Sequence, residues 1–402
     1  MLGENTDNVK DGAMNSLVLF ILLMFFCASC VEKHTPETAD ADRTVIVYIA
    51  ADNNLSGEVS SKISALEEGF SQVDASRNRL VIFADRAGQG ASLMEVLNGG
   101  IETVAEYPEF NSADPHSMRG IISDIASGYP SKSYGMICFS HASGWLPAGA
   151  LNDPQGYHKK TDAYGGSGIS QHSILQDGDE QMEISDFADA VALPGGMKYD
   201  FILFENCYMA GIEVAYELCN VADYMLASST EILSPGFLYS YRMDLSLLYE
   251  KDADLVGFAE SYFDYWNSRT GAWQSATVSV IDLSYIPMLA QKAGAIIRTG
   301  RYLVSDPSGI QHFNRNYHHL FFDLSQYLEA VSGGQVPELM EEYYSILGET
   351  VPYSDATESF MTGYPYSFEI KSSCGLTTYI MQPGLETLND DYMTTKYYID
   401  NL

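Results

Sequence analysis

Short unbroken apolar runs alternate along this chain with longer stretches in which apolar residues recur every three or four positions. The runs are "TVIVYIAAD" (44–52), "RLVIFADR" (79–86), "YGMICFSHASGW" (134–145), "KYDFILFENC" (198–207) and "ADYMLASSTEI" (222–232). Rich in β-branched and aromatic residues and lacking polar alternation, they suit strands covered on both faces, as in a parallel sheet between helical layers. Helical periodicity follows at about 56–70. It returns at 114–128, where Asp114-Pro115 gives a start signal and Met118, Ile121, Ile122 and Ile125 form one apolar face. "ASLMEVLNGG" (91–100) alternates and ends in Gly-Gly, which predicts a hairpin or edge strand. Strands alternating with helices predict an α/β sandwich wound by right-handed crossovers, with ligands bound beyond the carboxyl ends of the strands. After residue 240 come helical stretches near 251–268, 287–304 and between 317 and 350. Strand-like "ATVSVIDL" (276–283) and "GLTTYIM" (375–381) lie among them, and no Gly/Pro-rich linker precedes them. The expectation is a core over 44–240 and a C-terminal α/β portion over 241–402 on the same sheet.

The N-terminus has a different pattern. "LVLFILLMFF" (17–26) is uncharged and apolar but shorter than the about 20 residues that span a bilayer, and it suits the core of a signal peptide. Ala28 and Ser29 before Cys30 resemble the lipobox of bacterial lipoproteins, in which the cysteine becomes the acylated first residue. Cys27 stands where Leu is usual, and Lys10 is the one basic residue ahead of the run. Residues 1–30 are therefore read as a lipoprotein-type signal peptide, with a plain secretory signal or an uncleaved anchor as alternatives. Polar residues 31–43 are read as a tether. This places the protein outside the cytoplasm, on a bacterial membrane.

Charge removes one class of partner. With 54 Asp plus Glu against 21 Lys plus Arg, the net charge of −33 repels nucleic acid, while a basic peptide would be attracted. Beyond Cys27 and Cys30, four cysteines remain: Cys138, Cys207, Cys219 and Cys374. Two disulfides are compatible with that number, but no paired C-x-x-C spacing supports a structural zinc site. The pair His318-His319 with Asp323 fits packing better than a metal, and none is expected.

The chemistry gathers at two strand ends. The third run delivers His141 into the small-residue turn Ala142, Ser143, Gly144. The fourth delivers Cys207 ahead of a helical pattern at 210–218. On neighbouring strands the two emerge side by side, as nucleophilic catalysis requires. An imidazole and a helix N-terminus would lower the thiol pKa from about 8.5 into the range 3.5–7.5. The imidazole would then protonate the leaving amine. Backbone N–H groups of the small-residue turn, and that of Cys207, could stabilise an oxyanion. A lone Cys at a strand end is more often a core residue, and Cys138 and Cys219 illustrate it; the joint placement favours the dyad.

Several stretches, in order, resemble the clostripain family of cysteine peptidases: "VYIAADNNL" (47–55), "SHASGW" (140–145), "FENCYMAGIEVAYEL" (204–218), "ASSTEILSPG" (227–236) and "CGLTTYIMQPG" (374–384). The resemblance implies a caspase-like three-layer α/β/α sandwich with a mostly parallel sheet. It also implies endopeptidase activity, with His141 as general acid/base and Cys207 as nucleophile. It implies cleavage after Arg or Lys read by Glu205; Glu231, on the loop after the fifth strand, is a candidate second acidic member of the pocket, though a solvated loop carboxylate is the commoner reading of such a residue. Self-processing in the loop 151–173 would follow Lys159 or Lys160. Some relatives require calcium; "DPQG" (153–156) and "QDGDE" (176–180) offer oxygen ligands without EF-hand spacing, so calcium stays open. Three positions depart from the family pattern. Glu205 replaces Asp, Asn206 replaces a small residue with no role apparent from sequence, and Ala142 replaces Gly, which predicts strain if φ is positive there. The alternative reading is an inactive surface lipoprotein that keeps the fold to bind peptides or proteins.

Overall fold

The structure, a computed structural model, describes residues 41–158, 174–178, 180–300, 304 and 306–402, all within one compact unit, Ala39–Leu402. Cys30, Lys159 and Lys160 lie outside the described residues. The first strand, β1 (Ala41–Ala51), shows why the apolar runs lack alternation. Ile46, Tyr48 and Ala50 enter one hydrophobic core, while Val45, Val47, Ile49 and Ala51 enter another on the opposite face. This strand starts at Ala41, inside the segment read as tether. A helical turn then leads into α1 (Val59–Phe70), which lays Val59, Ile63, Leu66 and Phe70 on the second core.

The chain continues through β2 (Asn78–Arg86), β3 (Gly90–Leu97), β4 (Gly100–Tyr107), α2 (Pro115–Gly128) and β5 (Ser131–Phe139). Asp114 caps α2 by accepting from Ser117 N–H at 2.7 Å. Next come α3 (Ile184–Val191), β6 (Tyr199–Glu205), α4 (Ile212–Leu218), β7 (Ala222–Ala227), α5 (Leu238–Asp244), α6 (Leu255–Asn267) and β8 (Thr277–Asp282). The chain closes with α7 (Ile286–Arg298), α8 (Leu324–Ser332), α9 (Pro337–Thr350), β9 (Tyr353–Ala356) and two short helices, Glu386–Tyr392 and Lys396–Asn401. One nine-stranded sheet takes the order β9-β8-β7-β6-β5-β1-β2-β3-β4. The strands from β7 to β2 are parallel to their neighbours, and two antiparallel strands extend each edge. Helices α1, α5 and α6 cover one face, and α2, α3, α4 and α7 cover the other. This is the expected three-layer α/β/α sandwich. The C-terminal portion adds β8 and β9 to the same sheet. All four cysteines of the described residues are free thiols, so the two-disulfide option falls away. No described helix is long and apolar enough to cross a membrane.

At the carboxyl edge of the sheet the buried Asp85 meets the half-buried Asp177. Asp177 accepts from the N–H and the hydroxyl of Ser112 at 2.6 and 3.0 Å. Asp85, 1% exposed at the end of β2, is raised to about 7, first by burial and then by the charge and hydrogen bond of Asp177. Between about pH 4 and 7 the folded protein thus holds a proton that the unfolded chain releases, and stability falls as pH rises through that window. Asp85→Asn is expected to remove the decline, adding about 4 kcal/mol at pH 8 and almost nothing at pH 4. Chemical denaturation at both pH values checks this. An equal change at both would show that the pair does not titrate with folding.

Candidate active site

The parallel register pairs Phe139 with Glu205 at the ends of β5 and β6, so His141 and Cys207 each lie two residues past their last paired position. Asn206 fastens the two ends together. Its buried amide donates to the Ser140 carbonyl at 3.0 Å and to that of Ile174 at 3.3 Å. The turn after His141 also lies hard against the turn after Cys207. A Cβ on Gly144 (φ +62°) would come within 2.7 Å of the Tyr208 carbonyl oxygen, so this close approach requires glycine.

Backbone strain sits at Tyr208 and not at Ala142. Tyr208 has φ 61°, costly for a non-glycine residue by about 1–3 kcal/mol, whereas Ala142 is not among the residues with positive φ. Two contacts hold Tyr208: its N–H bonds Thr230 O at 3.0 Å, and its ring stacks on Phe321 at 4.5 Å and 4°. The strain expected beside the histidine is thus carried beside the cysteine.

His141 is half-buried, and its Nε2 lies 2.5 Å from Asn54 Oδ1. An amide oxygen only accepts, so Nε2 carries the proton and Nδ1 keeps a free lone pair. Burial lowers the pKa of the ring, while nearby Glu58 opposes that shift. The Cys207 sulfur accepts from Ile232 N–H at 3.4 Å. Burial pushes this thiol up to about 12, against the lowering effects of the Ile232 hydrogen bond and of Arg315, with Glu231 adding to the rise. Among the described residues no hydrogen bond links His141 to Cys207. The sequence expectation of a depressed thiol is corrected for this state. The helix begins only at Ile212, five residues on, and burial outweighs it. The backbone N–H groups of Ala142, Ser143, Gly144 and Cys207 donate to no other described residue, which suits them to a developing oxyanion.

The two acids expected to read a basic substrate are both occupied. Glu205, 3% exposed, takes Lys62 Nζ at 2.5 Å and Phe237 N–H at 2.8 Å on Oε1, and Tyr241 OH at 2.8 Å on Oε2. It is therefore not an open pocket floor. Glu231 pairs with Arg315 at 2.6 Å, and both are half-buried. Among the described residues, no group of three or more His, Cys, Asp or Glu could hold a metal ion.

Sequence reasoning missed Asn54, Asn206 and Lys62 as parts of the site. Asn54 and Asn206 stand inside the stretches quoted above. Lys62 had a signal of its own, being a charge on the apolar face of a helix between Val59 and Leu66.

The sequence model of the clostripain family, peptidase group C11, matches residues 47–370. Clostripain of Hathewaya histolytica is 25% identical over 230 residues, which are 50% of this chain and 41% of clostripain, so the match spans about two fifths of that relative. Two solved structures resemble the fold. One is an inactive zymogen C11 protease from Parabacteroides distasonis (27% identity, TM-score 0.75, covering 90% of this chain and 99% of that one). The other is a secreted C11 cysteine protease from Bacteroides thetaiotaomicron in complex with an irreversible peptide inhibitor (26% identity, TM-score 0.73, covering 89% and 98%). With a family match over most of its length and a fold shared over about nine tenths of it with two C11 proteases, this chain belongs to the clostripain family.

Proposed function

We propose that the protein is a cysteine endopeptidase working through His141 and Cys207. The carrying observation is the fastening of two adjacent strand ends by Asn206 and Gly144, with His141 and Cys207 at equivalent positions beyond them. In this reading a bound peptide brings Nδ1 of His141 to the thiol. The imidazole takes the proton, and the thiolate attacks the scissile carbonyl carbon. The oxyanion faces the N–H groups of the 142–144 turn and of Cys207. The imidazolium then protonates the leaving amine, and water hydrolyses the thioester with His141 as base. The resting site is latent, since the thiol is pushed up and no hydrogen bond joins it to His141. The C11 relative solved as an inactive zymogen and the one solved with an irreversible peptide inhibitor are consistent with a latent site that can be engaged.

The location proposed with it is extracytoplasmic, through acylation of Cys30. The preference for Arg or Lys, and self-cleavage after Lys159 or Lys160, rest on the family resemblance and are carried as parts of this proposal, with the Glu205 carboxylate held by Lys62 and that of Glu231 by Arg315 in the resting protein. Calcium is no part of the mechanism proposed.

The test is covalent. The full chain, incubated with a panel of peptidyl acyloxymethyl ketones, is expected to carry a single adduct mapping to Cys207, and to hydrolyse the matching peptide amides. Neither adduct nor hydrolysis from any member would leave a peptide-binding module in place of an enzyme.

A further inference from the structure

The loop from Glu231 to Phe237 faces two ways. Its Ile232 N–H lies on the Cys207 sulfur at 3.4 Å, while Ser234 and Pro235 form one wall of a cleft of about 490 Å³. A chain advances at most about 3.6 Å per residue, so Ser234 stands within about 7 Å of Ile232. The rest of the cleft is built by the end of α6 and the turn after it, through Tyr265, Trp266, Arg269 and Trp273. Two of those side chains are not used up by the fold. Trp273 leaves its ring 58% exposed. Trp266, only 1% exposed, carries an indole N–H that meets no acceptor among the described residues. The Tyr265 ring is fixed in place, with Tyr239 stacked on it at 4.1 Å and the Arg269 guanidinium 4.0 Å over it. Arg269 is the only charged side chain in the lining, so the cleft offers a ligand rings, hydroxyls and an indole N–H.

A segment in the polyproline II conformation fits that offer. It has no internal hydrogen bonds, so its carbonyls are free to accept, and its proline rings lie in slots between aromatic side chains at little further cost in entropy. A glycan would stack on Trp273 too, but its hydroxyls call for charged or amide partners, and the one charge in the lining is already engaged on a ring. Continuity names the owner of the segment. The loop that touches the nucleophile also walls the cleft, so a peptide held on the Cys207 sulfur has the cleft within reach of residues about two to four places from its scissile bond. We propose that the cleft is a docking site for an extended, proline-bearing stretch of the substrate, which adds affinity away from the reacting atoms. The proposal rests on the peptidase reading and extends it beyond the side chain next to the scissile bond.

The experiment uses the full-length protein and an internally quenched peptide built on the best sequence from the ketone panel. The peptide is lengthened on one side or the other, beyond the second residue from the scissile bond, by Ala-Pro-Pro-Ala-Pro-Pro or by Ala-Ser-Ser-Ala-Ser-Ser. One of the two proline extensions is expected to lower KM about 10-fold against its serine counterpart at unchanged kcat, because contacts remote from the reacting atoms hold substrate and transition state alike. In Trp273→Ala the proline and serine extensions should give equal KM, whereas Trp273→Phe, which keeps a ring, should preserve most of the difference. Docking without turnover is read by titrating the Cys207→Ala protein with free Ala-Pro-Pro-Ala-Pro-Pro, and separately with xylohexaose, and following tryptophan fluorescence. Saturation by the proline peptide supports the proposal, and saturation by the sugar alone overturns it. Hydrolysis with equal KM for all extensions overturns the docking site and leaves the peptidase reading standing. No hydrolysis of any peptide, with no ketone adduct on Cys207, overturns the peptidase reading and the substrate role of the cleft with it.

Discussion

Alanine at Cys207 is expected to lower kcat for the best peptide substrate by about 10⁴-fold or more, to the level left by binding and the oxyanion donors alone. The sulfur forms the acyl bond, and no neighbouring group substitutes for it. Cys138, Cys219 and Cys374 are each raised by burial, and Cys138 lies inside β5, one residue before the strand end. His141→Ala should cost about as much, and the double variant hardly more, because the two residues act in one proton transfer. Measuring kcat of the three variants against wild type, with folding followed by circular dichroism, tests the assignment. Additive losses, or full activity in Cys207→Ala, would place the nucleophile elsewhere.

The second large effect is on the reactivity of the resting thiol. With its pKa pushed up to about 12 by burial, Cys207 at pH 7.5 holds roughly 3 thiolates in 10⁵ molecules, against about one in ten for an ordinary thiol of pKa about 8.5. Iodoacetamide should therefore modify Cys207 of the intact protein about 10³-fold more slowly than a free peptide thiol. The rate should climb tenfold per pH unit from 7 to 10 without a plateau. Quantifying each cysteine separately by mass spectrometry reads this directly. A plateau between pH 5 and 8 would mean that His141 already bonds the sulfur at rest. The same measurement on protein engaged by a substrate-like peptide should develop that plateau, since His141, its Nδ1 free, is then the partner.

The parallel heart of the fold was legible because burial on both faces leaves an unbroken apolar run, as β1 shows by dividing its side chains between two cores. Where burial is one-sided or absent, the signal faded. The edge strand β4, largely exposed, reads as polar sequence, and the short amphipathic helix α3 and the Tyr-bearing C-terminal helices passed unnoticed. "GLTTYIM" looked like a full strand but pairs only over Thr377–Thr378, because its apolar side chains are buried by packing and not by a ladder. At the site, His141 and Cys207 announced themselves as residue types at strand ends. Their partners did not. Lys62 stands 143 positions from Glu205, and Asn54 stands 87 from His141, distances over which a single sequence carries no pairing information. A carboxylate that looks free in one dimension can thus be neutralised in three.

The order of strands has one more consequence. Upstream of residues 159–173 the chain supplies β1 to β5, and downstream it supplies β6 to β9, yet β5 and β6 are neighbours in the middle of one sheet. Across the same divide run Arg43 to Asp200, Lys62 to Glu205, Asn53 to Gln176 and Asn206 to Ser140. A nick in that segment would therefore change the covalent inventory and not the particle. The halves would persist as two subunits sharing a common interior, parted only by a denaturant, with His141 on one half and Cys207 on the other held in place by a sheet that both halves build.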